Sequence, residues 1–261
     1  MELDGRVAIV TGGAMGIGRA AAECLVREGA AVMIVDNQEA AGAGAAAELE
    51  AAHPGKVAFC RADISQPLDD RRAVDETVER FGGADILVNN AGIQTYGGPT
   101  DTTEEIWDRT MDVNLKGHWL MSKYAIPHML GRGRGSIVNV SSVQGLASQA
   151  NVLAYATSKH ALIGLTRAMA VDLARQGVRV NCVCPGSVDT PMIRSIIAQD
   201  RDPARLERIL HGMHPIGRMA HPREIGEVIL FLAGDRASFM TGSIVTVDGG
   251  LLVPIAGSPE Q

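Results

Sequence analysis

Aromatic residues are almost missing from this chain: 3% of 261 residues, against 46% hydrophobic overall and 30 glycines. A core with so few rings must be built from aliphatic side chains, and plentiful alanine and glycine suit helices laid closely on a sheet. Cysteine is sparse too. Cys24, Cys60, Cys182 and Cys184 follow no framework spacing, so a disulfide scaffold is excluded and reduced core thiols are expected. Cys182 and Cys184 share one face of a predicted strand, yet no further Cys or His can be placed beside them, so no metal site is expected. No run reaches the roughly 18 apolar residues of a membrane helix. The opening Met1-Glu-Leu-Asp-Gly-Arg lacks the basic region and apolar stretch of a secretory leader. These absences together predict a cytoplasmic protein. The 24 Lys and Arg are outnumbered by 30 Asp and Glu, for a formal charge of −6. That leaves no footprint for nucleic acid or an anionic membrane.

What the chain does have is alternation. Short apolar runs rich in β-branched residues at 6–11, 31–36, 56–61, 85–89, 136–140, 179–183 and 243–247 alternate with helical stretches. The helices are read near 18–29, 40–52, 68–81, 104–130, 156–174 and 222–233. Such alternation is the pattern of a doubly wound α/β fold, a parallel sheet of about seven strands with helices on both faces. Length admits one domain or two. Without a linker, repeat or low-complexity stretch the chain is read as one domain, 1–261. Residues 187–220 are irregular in pattern, with pieces of helix, two Met-containing turns and prolines at 185, 191, 203 and 215, and are expected to cover a substrate.

Gly12, Gly13, Gly16 and Gly18 stand between the first strand and first helix. Glycines there let the backbone turn sharply and approach a pyrophosphate, whose charge suits a helix N-terminus. The spacing, Gly12-x-x-x-Gly16-x-Gly18, is not the common G-x-G-x-x-G fingerprint. Asp36 ends the second strand, where a carboxylate accepts hydrogen bonds from ribose hydroxyls and repels a 2′-phosphate. Position 37 is Asn and the residue before Gly16 is Met15, so no base is present to reverse that preference. NAD is predicted over NADP. Taken alone, Asp36 also fits a helix N-cap.

Tyr155 and Lys159 are four apart at the start of a helix, so their side chains share a face. A phenol is a poor proton carrier near neutrality, with a reference pKa of about 10, and a neighbouring ammonium is expected to lower it. Ser142 lies upstream at a strand end, where a loop can return its hydroxyl over the helix start. An alcohol or ketone oxygen between Ser142 and Tyr155 has a hydrogen-bond partner and a proton relay.

With Asn89-Asn90-Ala91-Gly92, Thr11-Gly12-x-x-x-Gly16-x-Gly18 and Asn114 in the same order, the chain resembles the single-domain short-chain dehydrogenase/reductases from about Gly5 to Gly250. The resemblance implies a Rossmann-like fold, an NAD cofactor and hydride transfer between a secondary alcohol and a ketone. It implies that Tyr155 is the general acid/base and that Lys159 also bonds the nicotinamide ribose. Ser142, rather than Ser141, would orient the substrate oxygen, and Asn114 would hold a water against the lysine. Gly12, Met15, Gly16, Ile17 and Gly18 would cradle the pyrophosphate, and Asp63 with Ile64 would flank the adenine. Asn90, Ala91 and Gly92 would line the adenosine side, and Pro185, Gly186, Val188 and Thr190 the nicotinamide. The resemblance also implies a homotetramer built through the helices at 104–130 and 155–174. The apolar tail Leu251–Ala256 is suited to pack on a neighbouring subunit.

Specificity is expected from loops at the carboxyl ends of the strands. Candidates are Gln94, Gln144, Gln149, Asn151 and Met192, with Thr95 and Tyr96 beside them. The amides suit a sugar or polyol, whereas Met192, Ile193, Ile196 and Ile197 suit an apolar secondary alcohol or a 3-oxoacyl or steroid-like ketone. Two rival readings remain: an epimerase or dehydratase that keeps NAD bound, and a non-enzymatic dinucleotide sensor. His118 and His160 lie near the motifs, with His160 read as structural. His211 and His214 are expected to be solvated.

Overall fold

The computed structural model describes residues 1–254; Ile255 and Ala256 of the tail lie outside the described residues. Seven strands form one sheet: β1 (Val7–Thr11), β2 (Ala31–Asp36), β3 (Val57–Arg61), β4 (Ile86–Asn89), β5 (Gly135–Val140), β6 (Val178–Pro185) and β7 (Ile244–Val247). Their order is β3-β2-β1-β4-β5-β6-β7, and every neighbouring pair is parallel. Helices α1 (Gly16–Arg27), α2 (Glu39–Ala52), α3 (Pro67–Phe81), α4 (Glu104–Met111), α5 (Gly117–Gly131) and α6 (Leu153–Leu173) follow the strands in turn. After β6 come α7 (Pro191–Gln199), α8 (Pro203–Gly212) and α9 (Pro222–Ala233).

The strands are continuous apolar runs because both faces are covered. The pleat sends successive side chains to opposite sides. Ala8, Val10, Val32, Ile34, Ile86 and Val88 meet Leu25 of α1 and Ile225 and Ile229 of α9. Ile9, Met33, Val35, Leu87 and Ile137 meet Val74 of α3, Met121 of α5 and Leu173 of α6. Small residues let the layers close up. A Cβ on Gly226 of α9 would come within 2.9 Å of the Ala20 carbonyl oxygen of α1. Strand order reverses between β1 and β4, which opens a crevice at the carboxyl ends of the strands.

One element differs from expectation. The helix expected over 104–130 is interrupted by a π-helical turn, Asp112–Lys116, which carries Asn114 inward to full burial. The pieces of helix expected within 187–220 are α7 and α8, which make up most of the segment. Pro191 and Pro203 occupy the first turns of α7 and α8, behind the capping side chains Thr190 and Asp202, whereas Pro215 lies in the turn after α8. His214, expected in solvent, is 3% exposed. Its Nε2 accepts from the Ser187 amide at 3.0 Å and its Nδ1 donates to the Leu210 carbonyl at 2.8 Å. The imidazole thus ties the end of α8 to the turn after β6.

Candidate functional site

A cavity of 410 Å³ occupies the crevice, within the usual range for small-molecule sites. Gly12, Met15, Gly16, Ile17 and Asp36 line one part, Asp63 and Ile64 another, and Asn90, Ala91 and Gly92 the floor. Ser141, Tyr155, Lys159, Thr190 and Met192 line the far end. Gly12 and Gly16 have φ of +62° and +57°, a region that suits glycine. A Cβ on Gly12 would stand 2.8 Å from Ala91 Cα, and one on Gly18 would lie 2.5 Å from Asn90 Nδ2. Gly18 therefore shapes the turn from behind the cavity wall. Met15, at the N-cap of α1, offers no side-chain bond. The first-turn amides of that helix are left to a ligand or solvent, the arrangement that favours an anion.

Asp36 accepts from the Ala14 amide at 3.1 Å and the Gln38 amide at 3.0 Å. It braces the glycine turn while facing the cavity, and α2 has no side-chain cap. Asp63 Oδ1 accepts from Ser65 N and Oγ at 3.0 and 2.8 Å. Burial pushes the Asp63 carboxyl up, but the Ser65 bonds and the Arg109 guanidinium outweigh it, so the group lies below the ordinary carboxylate value. Arg109 of α4 reaches across from the opposite wall to Asp63 Oδ2 at 3.4 Å and Ser65 Oγ at 2.7 Å, and it lines the cavity. Sequence reasoning missed Arg109. A surface-facing arginine in a helix carries no local signal of a partner 46 residues away.

At the other end, Lys159 Nζ lies 5.8 Å from the Tyr155 ring centroid and donates to the Val140 carbonyl at 2.9 Å. Ser142 Oγ accepts from the Gln144 amide at 3.1 Å, and its hydroxyl lies near enough to Tyr155 to favour the ionised phenol. Ser141 Oγ is spent on the Lys159 carbonyl at 2.9 Å. The expected lowering of the Tyr155 pKa is not found. Burial holds the phenol above its ordinary value; the Ser142 hydroxyl works against this and Tyr96 adds to it. Burial likewise pushes Lys159 down to about 8. The physical reason is that both groups are desolvated and the ammonium is aimed at Val140 rather than at the phenol oxygen.

Asn114 stands on the same side of Gly92 as the lysine: a Cβ on Gly92 would lie 3.3 Å from its Oδ1 and 3.6 Å from Lys159 Nζ. The Asn114 Oδ1 accepts from Ile93 N at 2.8 Å, and its Nδ2 donates to Ile93 O at 2.9 Å and Ser158 Oγ at 3.2 Å. The side chain clamps the loop after β4. Pro185, Gly186 and Val188 stand behind the cavity lining. Gly186 is packed on His214, whose Nε2 would lie 2.7 Å from an added Cβ, and Val188 bridges to Ala220. Thr190 lines the cavity and caps α7.

Of the specificity candidates, only Met192 lines this cavity. Two pairs of the polar candidates bond each other: Gln94 Nε2 donates to Tyr96 Oη at 3.2 Å, and Gln144 Nε2 to Gln149 Oε1 at 3.1 Å. Asn151 adopts φ of 60°, and its carbonyl accepts from the Gly97 amide at 2.9 Å, joining the loops that carry the two pairs. His160 is exposed, with Nδ1 2.9 Å from the Ala156 carbonyl of its own helix. All four cysteines are free and buried. Among the described residues no cluster could hold a metal ion and no helix is long and apolar enough to cross a membrane.

Residues 12–252 match the family model described as enoyl-(acyl carrier protein) reductase. The chain is 43% identical to a 2,5-dichloro-2,5-cyclohexadiene-1,4-diol dehydrogenase of Sphingobium indicum, over 95% of this chain and 98% of the relative. It is 41% identical to the cis-4-hydroxycyclohexanecarboxylate dehydrogenase of Sinomonas cyclohexanicum, over 94% and 96%. The ligand-free structure of an aldohexose dehydrogenase from Thermoplasma acidophilum superimposes with a TM-score of 0.89 at 38% identity, covering 99% of this chain and 98% of that one. Fold, motif order and these matches agree: the chain belongs to the short-chain dehydrogenase/reductase family, oxidoreductases that act on CH–OH groups.

Proposed function

We propose that this enzyme is an NAD-dependent dehydrogenase of a secondary alcohol, with a sugar or cyclic polyol as the substrate class. The observation that carries the reading is one cavity with Asp36 beside the glycine turn at one end and Tyr155 and Lys159 at the other. The Ser142 hydroxyl lies near that tyrosine and favours its ionised form. The donor set fits the cofactor. The α1 N-terminus and glycine turn take the pyrophosphate, Asp36 the adenosine ribose, and Asp63 and Ile64 the adenine. Asn90, Ala91 and Gly92 support the adenosine side, and the Pro185–Thr190 segment backs the nicotinamide.

When bound, NAD supplies the hydride acceptor. The chain's own groups manage one proton. Ser142 Oγ donates to the substrate oxygen, and Tyr155 takes the hydroxyl proton in oxidation and returns it in reduction. Lys159, at the same end of the cavity, would bond the nicotinamide ribose. Helices α7 and α8 cover the substrate, with Met192 over the cavity. The amides of Gln94, Gln144, Gln149 and Asn151 are the partners we assign to a polyhydroxylated substrate. The names of the Sphingobium and Thermoplasma relatives, a cyclic diol and an aldohexose dehydrogenase, support the same class. Met192, 44% exposed, favours a second reading, an apolar secondary alcohol. Four free buried thiols suit a reducing cytoplasm. Exposed Trp119 of α5 and Val171 of α6 support a homotetramer, for which light scattering should give about four times the 27.5 kDa chain mass.

The test is absorbance at 340 nm with NAD and NADP over sugars, cyclic polyols and apolar secondary alcohols. NADH formed with a polyol, and little NADPH, is the expected result. Signal with apolar alcohols alone discards the polyol class, and net turnover with no substrate pair favours a sensor. Asp36→Ala with Asn37→Arg should lower the NAD:NADP ratio of kcat/KM by about 100-fold, since it removes a repelling carboxylate and adds a phosphate-binding fork. An unchanged ratio would overturn the role given to Asp36. Arg109→Ala should weaken NADH binding by about 3–10-fold through loss of a charge-assisted contact, with no effect on reduced nicotinamide mononucleotide. Fluorescence titration reads both.

A further inference from the structure

His118 lies in the first turn of α5 and is 0% exposed. Its Nε2 is 2.7 Å from the Ala91 carbonyl oxygen, and its Nδ1 is buried without a hydrogen-bond partner. A carbonyl can only accept, so Nε2 carries the hydrogen and Nδ1 a bare lone pair. Burial and, next to it, the charge of Lys159 push the imidazole down to about 3. The ring is therefore neutral throughout the working pH range. Leaving Nδ1 buried and unpaired is a cost to the fold that an aliphatic residue of similar size would avoid.

The Ala91 carbonyl is what the imidazole has and an aliphatic would not. Residues 90–93 follow β4 and line the cavity. Side chains from three elements hold their backbone. Thr11 Oγ1 accepts from the Asn90 and Ala91 amides at 3.0 and 3.1 Å. Asn114 takes both backbone groups of Ile93. His118 takes a further point, Ala91 O. The tolerance there is small on both sides. A Cβ on Gly12 would press on Ala91 Cα, and one on Gly92 would lie 3.3 Å from Asn114 Oδ1 and 3.6 Å from Lys159 Nζ.

We propose that His118 is a positioning residue for the cofactor: its neutral Nε2–H donor fixes the Ala91 carbonyl and so sets the width of the cavity between the glycine turn and Lys159. This rests on the reading that the cavity takes a dinucleotide. The test compares His118→Val, which fills the space without a donor, and His118→Gln, whose amide nitrogen can reach the place of Nε2. His118→Val should raise the Kd for NADH by about tenfold, with kcat at saturating NAD within about threefold of the parent. His118→Gln should recover most of the affinity. Backbone amide exchange over residues 90–93 should quicken in His118→Val and slow again in His118→Gln, whether or not cofactor is present. Parental NADH affinity in His118→Val, or a glutamine variant no better than valine at equal melting temperature, would overturn the proposal. If the parent binds neither NADH nor NADPH, the dinucleotide reading fails. Exchange rates then judge the hold on Ala91 alone, and an unchanged rate in His118→Val refutes it.

Discussion

Tyr155→Phe is expected to reduce kcat about 10³-fold, roughly 4 kcal/mol of transition-state stabilisation, while NADH binding stays within about twofold. The substitution removes one oxygen and keeps the ring that fills the first turn of α6. What is lost is the phenolic hydroxyl at the cavity end that Tyr155 shares with Lys159. The pH dependence comes from the same group. Burial holds the Tyr155 phenol above its ordinary value, so it is protonated at neutrality. Oxidation requires the phenolate, and its rate should climb from pH 7 towards 10. Reduction requires the phenol, and its rate should decline over that range. Stopped-flow rates in both directions check this. Near-parental turnover in folded Tyr155→Phe, or an oxidation rate flat with pH, would remove Tyr155 from the proposed role.

Asp70→Asn is expected to stabilise the fold at pH 7.5 by roughly 4 kcal/mol, about 10 °C in Tm, and by only about 1.5 kcal/mol at pH 5. Asp70 lies on the inner face of α3 at 0% exposure, and neither carboxylate oxygen has a hydrogen-bond partner. Burial, with the charges of Asp69 and Asp63 behind it, pushes its pKa up to about 8. An unfolded aspartate titrates near 3.9. Between those values the folded chain binds the extra proton, so its stability is greatest at low pH and falls as pH rises towards 8. Asparagine keeps the shape and cannot ionise. The Tm difference between variant and parent should therefore open with pH between 5 and 8. A gap of equal size at both ends would show that ionisation is not its origin.

The strands were legible because the sheet is buried on both sides, which demands unbroken apolar runs. β6 was expected over 179–183 and spans Val178–Pro185. The glycine turn was legible because a positive φ and a close backbone approach both exclude side chains. The pairing of Tyr155 with Lys159 was legible because helical spacing places four-apart residues on one face. These are local rules, set by the geometry of a few consecutive residues.

Those local rules leave open which partner each polar group finds once distant segments meet. The π-helical turn at Asp112–Lys116 has no separate sequence signature; it forms where Asn114 is drawn onto Ile93. The prolines of 187–220 read equally as breaks or helix starts until Thr190 and Asp202 are seen to cap α7 and α8. Arg109 on Asp63, His118 on Ala91 and His214 on Ser187 join elements far apart in the chain. The sign of the Tyr155 shift runs against the sequence expectation for the same reason. It depends on burial and on where the Lys159 ammonium is aimed, and both are properties of the packed molecule. Sequence by itself determined the doubly wound sheet and the two ends of its crevice, since periodicity and glycine sterics act over short range. Tertiary structure alone decided the loop mounting, the helical cover and the protonation states, since burial and charge act between residues that only folding brings together.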